Sequence, residues 1–191
     1  MKIVIPADRP KYEMALPDGA TLTLSPVLKT DREFFEKGLH ELSLESRFAR
    51  FGQGVGSLTH RELDYLSDVD QRHHVAWGAA IGDEVAGVGR YILSPDVGCA
   101  EFAITVLDVM QRRGVGHALL QALVAVARAD GVHELCFQTQ AGNDAVMRLI
   151  SEIELLPMIA EGVVAGRIRV SDLPTGPEES GLVAVMDEAR G

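Results

Sequence analysis

Residues 99–143 read CAEFAITVLDVMQRRGVGHALLQALVAVARADGVHELCFQTQAGN, and the order of apolar runs, glycines and charges in them decides the fold. Cys99 to Leu107 is a strand-like run whose one charge is Glu101. It passes through Asp108 to Gln111 into a turn flanked by Gly114 and Gly116. Leu119, Leu120, Leu123, Val124, Val126 and Ala127 then recur at helical spacing, and Gly131 is placed to stop that helix. Leu135 to Thr139 reads as a second strand. Strand, turn, helix and strand make a β-α-β unit, whose crossover sets the helix on one face of a sheet and its N-terminus beside the strand ends.

Working outward, Val75 to Ile81 and Val85 to Leu93 read as two strands joined at Gly82-Asp83, a tight-turn pair between apolar runs. Before them, Asp31 is placed to cap a helix running to about Leu42, Ser43 to Phe51 reads as a second helix, and Thr59 caps a third ending near Leu66. Thr21 to Val27 alternates like a short strand, and residues 1–19, with Pro6, Pro10, Pro17 and Gly19, read as an irregular lead-in. From Pro174 onward Gly176, Pro177 and Gly181 suggest a loose tail. The expected organisation is therefore a lead-in (1–19), one α/β domain (20–172) and a tail (173–191), with no internal repeat or linker.

Composition excludes several functions. Hydrophobic residues make up 47% and charged residues 24% of the 191, as in a chain with a packed core. A net charge of −10 argues against nucleic acid, which needs a basic face to replace phosphate counterions. No run of 18 apolar residues and no secretion-type leader is present, so no membrane contact and a cytoplasmic location are expected. Cys99 and Cys136 lie in apolar runs without metal-ligand spacing and are expected to be buried free thiols rather than a disulfide or a zinc site. Asp70, His73 and His74 are expected to form a strand entry and not a metal cluster, because adjacent residues of a strand point to opposite faces. No metal is expected.

The turn Gln111-Arg112-Arg113-Gly114-Val115-Gly116 has the makings of an anion site. The first N–H groups of a helix lack internal partners and the helix dipole adds positive potential, so a diphosphate can satisfy several donors at once. Arg112, Arg113 and His117 add positive charge to an otherwise acidic chain. A solvated helix start would show the same glycines. The dinucleotide fingerprint fails because Leu119 occupies its third glycine position, and a Gly-Lys-Ser/Thr phosphate loop is absent.

The segment resembles the GNAT acyltransferases, whose coenzyme-A motif Gln/Arg-x-x-Gly-x-Gly/Ala is matched in full by Gln111 to Gly116. Leu119-Leu120 resembles the leucine pair of the following helix, and Asn143 stands where the family commonly places an asparagine near the cofactor. Leu42 to Phe51, Leu66 to Asp70, His74 and Ala100-Glu101-Phe102-Ala103 are similar to the catalytic domain of bacterial Pat-type protein-lysine acetyltransferases. The resemblance spans about residues 20–160.

It implies a GNAT fold, with a mixed sheet of about six to seven strands, flanking helices and a splayed strand pair that holds acetyl-CoA. It further implies cofactor contacts from the strand backbone at Ala103, Ile104, Thr105 and Val106, from Gln111, Arg112, Arg113, Gly114, Val115, Gly116 and His117 at the turn, and from Asn143. A backbone N–H would polarise the thioester carbonyl, and an amine would attack it directly with no covalent enzyme intermediate. Glu101, ten residues before Gln111, corresponds to the general base. The chemistry needs one: an amine of pKa near 10.4 is neutral in about one molecule in a few thousand at pH 7, so deprotonation costs roughly 4–5 kcal/mol. The apolar run around Glu101 is expected to desolvate it and raise its pKa.

The Pat-like helices favour a protein lysine as acceptor. A small-molecule amine, or a non-catalytic acyl-CoA-binding module, are the alternatives, and the chain is expected to be a monomer or a homodimer. Arg47, Phe48, Arg50 and Phe51 lie on a helix that borders the acceptor pocket in this family, although a plain packed amphipathic helix has the same composition. Trp77 and Phe102 are expected in the core or the cleft wall. The sequence departs from the family in having no tyrosine after Tyr91, so no general acid is identified, and in Glu154-Leu155-Leu156 where a Gly-Phe pair is usual. The 20 or so residues before the first strand are too few for a regulatory domain such as a cyclic-nucleotide module, so regulation by that route is not expected.

Overall fold

Strand and helix periods in the sequence resolve, in the computed structural model, into eight strands and six helices among the described residues, which are 2, 5, 6, 8–52, 54–94, 99–151 and 157–191. In chain order they are β1 (Tyr12–Ala15), β2 (Thr21–Pro26), α1 (Arg32–Glu41), α2 (Leu44–Phe51), α3 (His60–Ser67), β3 (His74–Ile81), β4 (Glu84–Ser94), β5 (Cys99–Val106), α4 (Val115–Ala129), β6 (Glu134–Gln140), α5 (Asp144–Ile150), β7 (Met158–Ala160), β8 (Val163–Arg169) and α6 (Glu179–Arg190). Glu154-Leu155-Leu156 lie outside the described residues.

One sheet of order β1-β2-β3-β4-β5-β6-β8-β7 runs through the molecule. Every neighbouring pair is antiparallel except β5 with β6, which the α4 crossover makes parallel. The count is eight, above the six or seven expected. β1 escaped notice because it is four residues long, half exposed and set between Pro10 and Pro17, and the β7–β8 hairpin adds the far edge.

Ten of the fifteen residues of α4 are buried, so this helix needs cover on two sides. The sheet supplies one side, where Leu119 and Leu123 meet Gly89 of β4. α6 supplies the other. The expectation of a loose tail is thus corrected: Leu182 and Met186, four apart, are fully buried against the core, and α6 packs along α4. Gly181, taken as a loosening residue, is instead where the Tyr12 ring closes on the helix backbone. The two ends of α6 are held by Arg128 with Glu179 and by Arg190 with Asp130.

On the opposite face of the sheet, α1 covers Arg90 of β4, whose guanidinium lies 5.3 Å from the centre of the Phe35 ring. Of the two expected caps, Thr59 forms a capping box with Glu62, whereas the Asp31 expectation is corrected: its carboxylate makes no side-chain cap of α1 and binds Arg9 instead; α2 is capped by Ser43, which accepts from Ser46 N–H.

Cys99 and Cys136 correct a second expectation, since they are joined as a disulfide with Cα atoms 6.0 Å apart. They are 37 residues apart in sequence, and only the parallel pairing of β5 with β6, which sets Ala100 beside Leu135 and Glu101 beside Cys136, brings them together. No helix among the described residues is long and apolar enough to cross a membrane.

Candidate active site

Parallel pairing between β5 and β6 is confined to Ala100 with Leu135 and Glu101 with Cys136. Beyond that point the strands part, because β5 stays with β4 as far as Val106 and β6 stays with β8 as far as Gln140. A groove of about 560 Å³ opens in the gap. Phe102 and Phe137 flank its closed end with ring centres 5.7 Å apart, so Phe102 is both core and cleft wall. Trp77 is wholly core.

The open end of the groove meets the start of α4. Gly114, the cap, has φ 96°, and a Cβ there would stand 3.0 Å from Pro17 Cδ, so both backbone conformation and space require glycine. Arg112 also takes a left-handed conformation, φ 62°. The first N–H of α4 to close on the chain is that of Ala118, onto Gly114 O at 3.0 Å. No side chain caps the helix, so the N–H groups of Val115, Gly116 and His117 find no partner among the described residues. Gln111 braces the turn by donating from Nε2 to Val106 O at 3.2 Å.

Of the twelve expected cofactor residues, ten line the groove: Ala103, Ile104, Thr105, Val106, Gln111, Arg112, Gly114, Gly116, His117 and Asn143. Val115 and Arg113 do not. The Val115 side chain is core, leaving only its backbone for a ligand. Arg113 turns away to donate from Nε to Asp18 at 2.7 Å. Asn143 caps α5 by accepting from Val146 N–H at 3.2 Å and holds β6 by donating to Thr139 Oγ1 at 2.8 Å.

Glu101 stands at the closed end, between Ile92 of β4 and Cys136 of β6. It does not line the groove, and it is exposed, which corrects the expectation that the apolar run would desolvate it. The run alternates, so its apolar members Ala100 and Phe102 are buried on the other face. Its charge is felt by Arg50 of α2, a part-buried guanidinium that lines the groove.

The helix that carries Arg50 is tied down at its start by a contact that sequence reasoning missed. Asp108 accepts from Ser43 N–H (2.8 Å), Ser43 Oγ (2.9 Å) and Ser46 Oγ (2.8 Å), tying the start of α2 to the turn before α4. Burial pushes the Asp108 carboxyl up, but these hydrogen bonds outweigh it and hold the pKa below the ordinary carboxylate value. Asp70 follows the same logic. Its Oδ1 accepts from the N–H groups of Arg72, His73 and His74, which fixes the entry to β3 and keeps the carboxyl well below its usual range against the opposing effect of burial. His74 is pushed down to about 4 by burial and by the Arg90 charge, and its Nε2 accepts from Arg90 at 3.1 Å. Among the described residues no group of three metal-ligating side chains occurs.

A splayed parallel pair, with an uncapped helix N-terminus at the mouth of the gap and a carboxylate on the last paired residue of β5, fits the class of acyl-CoA-dependent N-acyltransferases. The chain belongs to the Acetyltransferase (GNAT) family, whose profile matches residues 36–153. It is 30% identical over 175 residues to the acetyltransferase Pat of Mycolicibacterium smegmatis, covering 90% of this chain and 52% of that one. It is 28% identical over 139 residues to the acetyltransferase PA5475 of Pseudomonas aeruginosa, covering 71% of this chain and 75% of that one. The crystal structure of the GNAT domain of S. lividans PAT superposes with a TM-score of 0.77 at 25% identity, covering 87% of this chain and 99% of that domain. The chain spans about half the length of the mycobacterial Pat.

Proposed function

We propose that this protein transfers an acetyl group from acetyl-CoA to a primary amine, with a protein lysine as the acceptor and Glu101 as the proton acceptor. The observation that carries the reading is the groove between β5 and β6, which ends on the unpaired N–H groups of Val115, Gly116 and His117.

The residues fit the cosubstrate. The diphosphate suits the start of α4, where the helix dipole and three free donors coincide beside Arg112 and His117. The pantetheine arm, which carries amides, suits the edge of β5 from Phe102 to Val106 that β6 leaves unpaired. Acetyl-CoA supplies an activated acyl carbonyl at that edge. The amine nitrogen forms the new C–N bond as the C–S bond breaks, and its proton passes to Glu101 directly or through water. Exposure of Glu101 suits an acceptor that arrives from solvent on another protein. What favours a protein substrate is the resemblance of Leu42 to Phe51 and Leu66 to Asp70 to Pat-type protein-lysine acetyltransferases. A small-molecule amine is the second reading, and a CoA-binding module without turnover the third.

Thiol release from acetyl-CoA, followed against lysine peptides, whole proteins and small amines, tests the reading. Wild-type turnover with a lysine substrate that falls at least ~100-fold in Glu101→Gln is the expected result. Turnover only on small amines would favour the second reading. Turnover undiminished in Glu101→Gln would remove Glu101 from its role.

A further inference from the structure

A second cavity, of about 110 Å³, lies between the sheet and helices α1 and α2. Its wall is mostly apolar, with Phe34, Phe35, Phe51 and Val88 among its lining residues. On β5 it is lined by Ala103 and Thr105, which alternation places on the same face of the strand as Glu101. The cross-strand partners repeat the arrangement, since Ile92 stands beside Glu101, Arg90 beside Ala103 and Val88 beside Thr105. Glu101 does not line the cavity but is the next residue of that face beyond it, about 7 Å from Ala103 by the two-residue repeat of a strand. An acceptor that gives its proton to Glu101 therefore has the cavity beside the rest of its atoms, under the helix that carries Arg50. The cavity lies on the acceptor side of the reaction.

Its charged lining is one-sided. Among the described residues Arg9, Arg50 and Arg90 line it against one carboxylate, Asp31, in a chain of net charge −10. Asp31 is taken up by Arg9 and by Leu28 N–H. The Arg9 side chain, 7% exposed, still leaves its Nε without a hydrogen-bond partner. Arg90 is 3% exposed and donates to neutral partners, His74 Nε2 and Leu66 O. Arg50 makes no hydrogen bond among the described residues, and none of their carboxylates stands within ion-pair distance of it. Burial pushes its guanidinium down, opposed by Tyr65 and by the Glu101 charge. An acceptor ammonium drawn to Glu101 cancels that charge and leaves Arg50 short of an anion. A part-buried cation without an anion is costly, and a carboxylate brought by the acceptor itself relieves the cost. Arginine suits the task because its planar fork matches a carboxylate.

We infer that the acceptor amine carries a carboxylate, which Arg50 binds at the edge of this cavity, about one two-residue strand repeat from the reacting nitrogen. Arg90 adds positive potential behind Arg50, with its own N–H groups committed to His74 and Leu66. Two sources supply this chemistry for a lysine ε-amine: the free carboxylate of the same lysine, or an acidic side chain next to it in a protein. The transfer itself is unchanged. The amine nitrogen bonds to the acyl carbon as the C–S bond breaks, a nitrogen proton passes to Glu101 or water, and the departing CoA thiolate takes a proton from solvent while the acceptor carboxylate stays as it was. The inference rests on the amine-acceptor reading and on the role of Glu101 proposed above.

The test follows thiol release from acetyl-CoA with two matched pairs of acceptors, Nα-acetyl-lysine against its amide, and a peptide containing Lys-Glu against the same peptide with Lys-Gln. In at least one pair the carboxylate member is expected to exceed its neutral partner in kcat/KM by at least ~10-fold, a preference worth about 1.4 kcal/mol. Preference in the first pair identifies the carboxylate of the lysine itself, and preference confined to the second identifies an acidic neighbour. In Arg50→Met the ratio should fall to about 1, and Arg50→Lys should keep part of it. Each ratio is taken within one variant, so a general loss of activity or of CoA affinity leaves it readable. Ratios near 1 for both pairs in the wild type, or a preference untouched by Arg50→Met, would overturn the inference. Should no amine be acetylated, the transferase reading fails separately. Calorimetric titration of the same pairs into the CoA-loaded chain then reads carboxylate recognition alone, and equal affinities within both pairs would overturn it.

Discussion

Ser43 and Asp108, 65 residues apart in sequence, are joined by two hydrogen bonds, backbone N–H to Oδ2 at 2.8 Å and Oγ to Oδ1 at 2.9 Å. This contact fixes α2, and with it Arg50, against the turn that opens α4. Asp108→Ala is expected to destabilise the fold by about 0.5–1.5 kcal/mol, since it removes solvent-exposed hydrogen bonds from both Ser43 and Ser46. Ser43→Ala should cost about 1 kcal/mol as a lost cap. Urea unfolding of both single variants and the double variant checks the link, with a coupling of at least ~0.5 kcal/mol expected. Strict additivity would mean that the two residues act independently.

The two arginines of the turn should behave differently. Arg112 lines the groove, while Arg113 is held by Asp18. Arg112→Ala is expected to weaken CoA binding by about 3- to 10-fold, the scale of one charge interaction at a helix N-terminus, and Arg113→Ala by less than about 2-fold. Calorimetric titration of CoA into each variant measures this, and a larger loss from Arg113→Ala would contradict the assignment.

His74 gives the protein a pH dependence. Its folded pKa, about 4, lies below the ordinary value of 6.5, so the neutral ring is the form the fold favours. Stability from this residue is complete above pH 6.5 and is lost as pH falls toward 4. Between pH 7 and pH 5 the loss amounts to at most about 2 kcal/mol, reduced by the solvent that reaches the part-exposed ring. His74→Gln, which keeps an acceptor for Arg90, should flatten stability across that interval in urea titrations. An unchanged slope would mean that other groups carry it.

Reducing the Cys99–Cys136 bond releases a crossover of 37 residues. Stability is expected to fall by about 2–4 kcal/mol on the chain-entropy account, read as a lower urea midpoint in dithiothreitol. Cys136→Ser should match the reduced wild type and should not respond to the reductant.

The core of the site was legible because its signals are local. Glycines at 114 and 116, a strand run before them and a helical repeat after them are all contiguous, and the loss of pairing after Glu101 follows from the crossover they encode. What stayed hidden depends on contacts distant in sequence. Arg113 looked equivalent to Arg112 until Asp18, 95 residues earlier, was seen to hold it. The cysteines looked separate because parallel register cannot be read from either strand alone. The apolar run around Glu101 suggested burial, but alternation sends its neighbours to the far face and leaves the carboxylate exposed. α6 was obscured by Gly176, Pro177 and Gly181, which mark the chain before and within it, while Leu182 and Met186 find their partners on α4.

The most direct test of the central claim, that the gap between β5 and β6 is an acyl-CoA site, is calorimetric titration of CoA into the wild-type chain and into Gly114→Ala. One CoA bound per chain, with affinity reduced at least ~10-fold in the variant by its positive φ and its contact with Pro17, is the predicted result. No CoA binding to the wild type, or binding indifferent to Gly114, would contradict it.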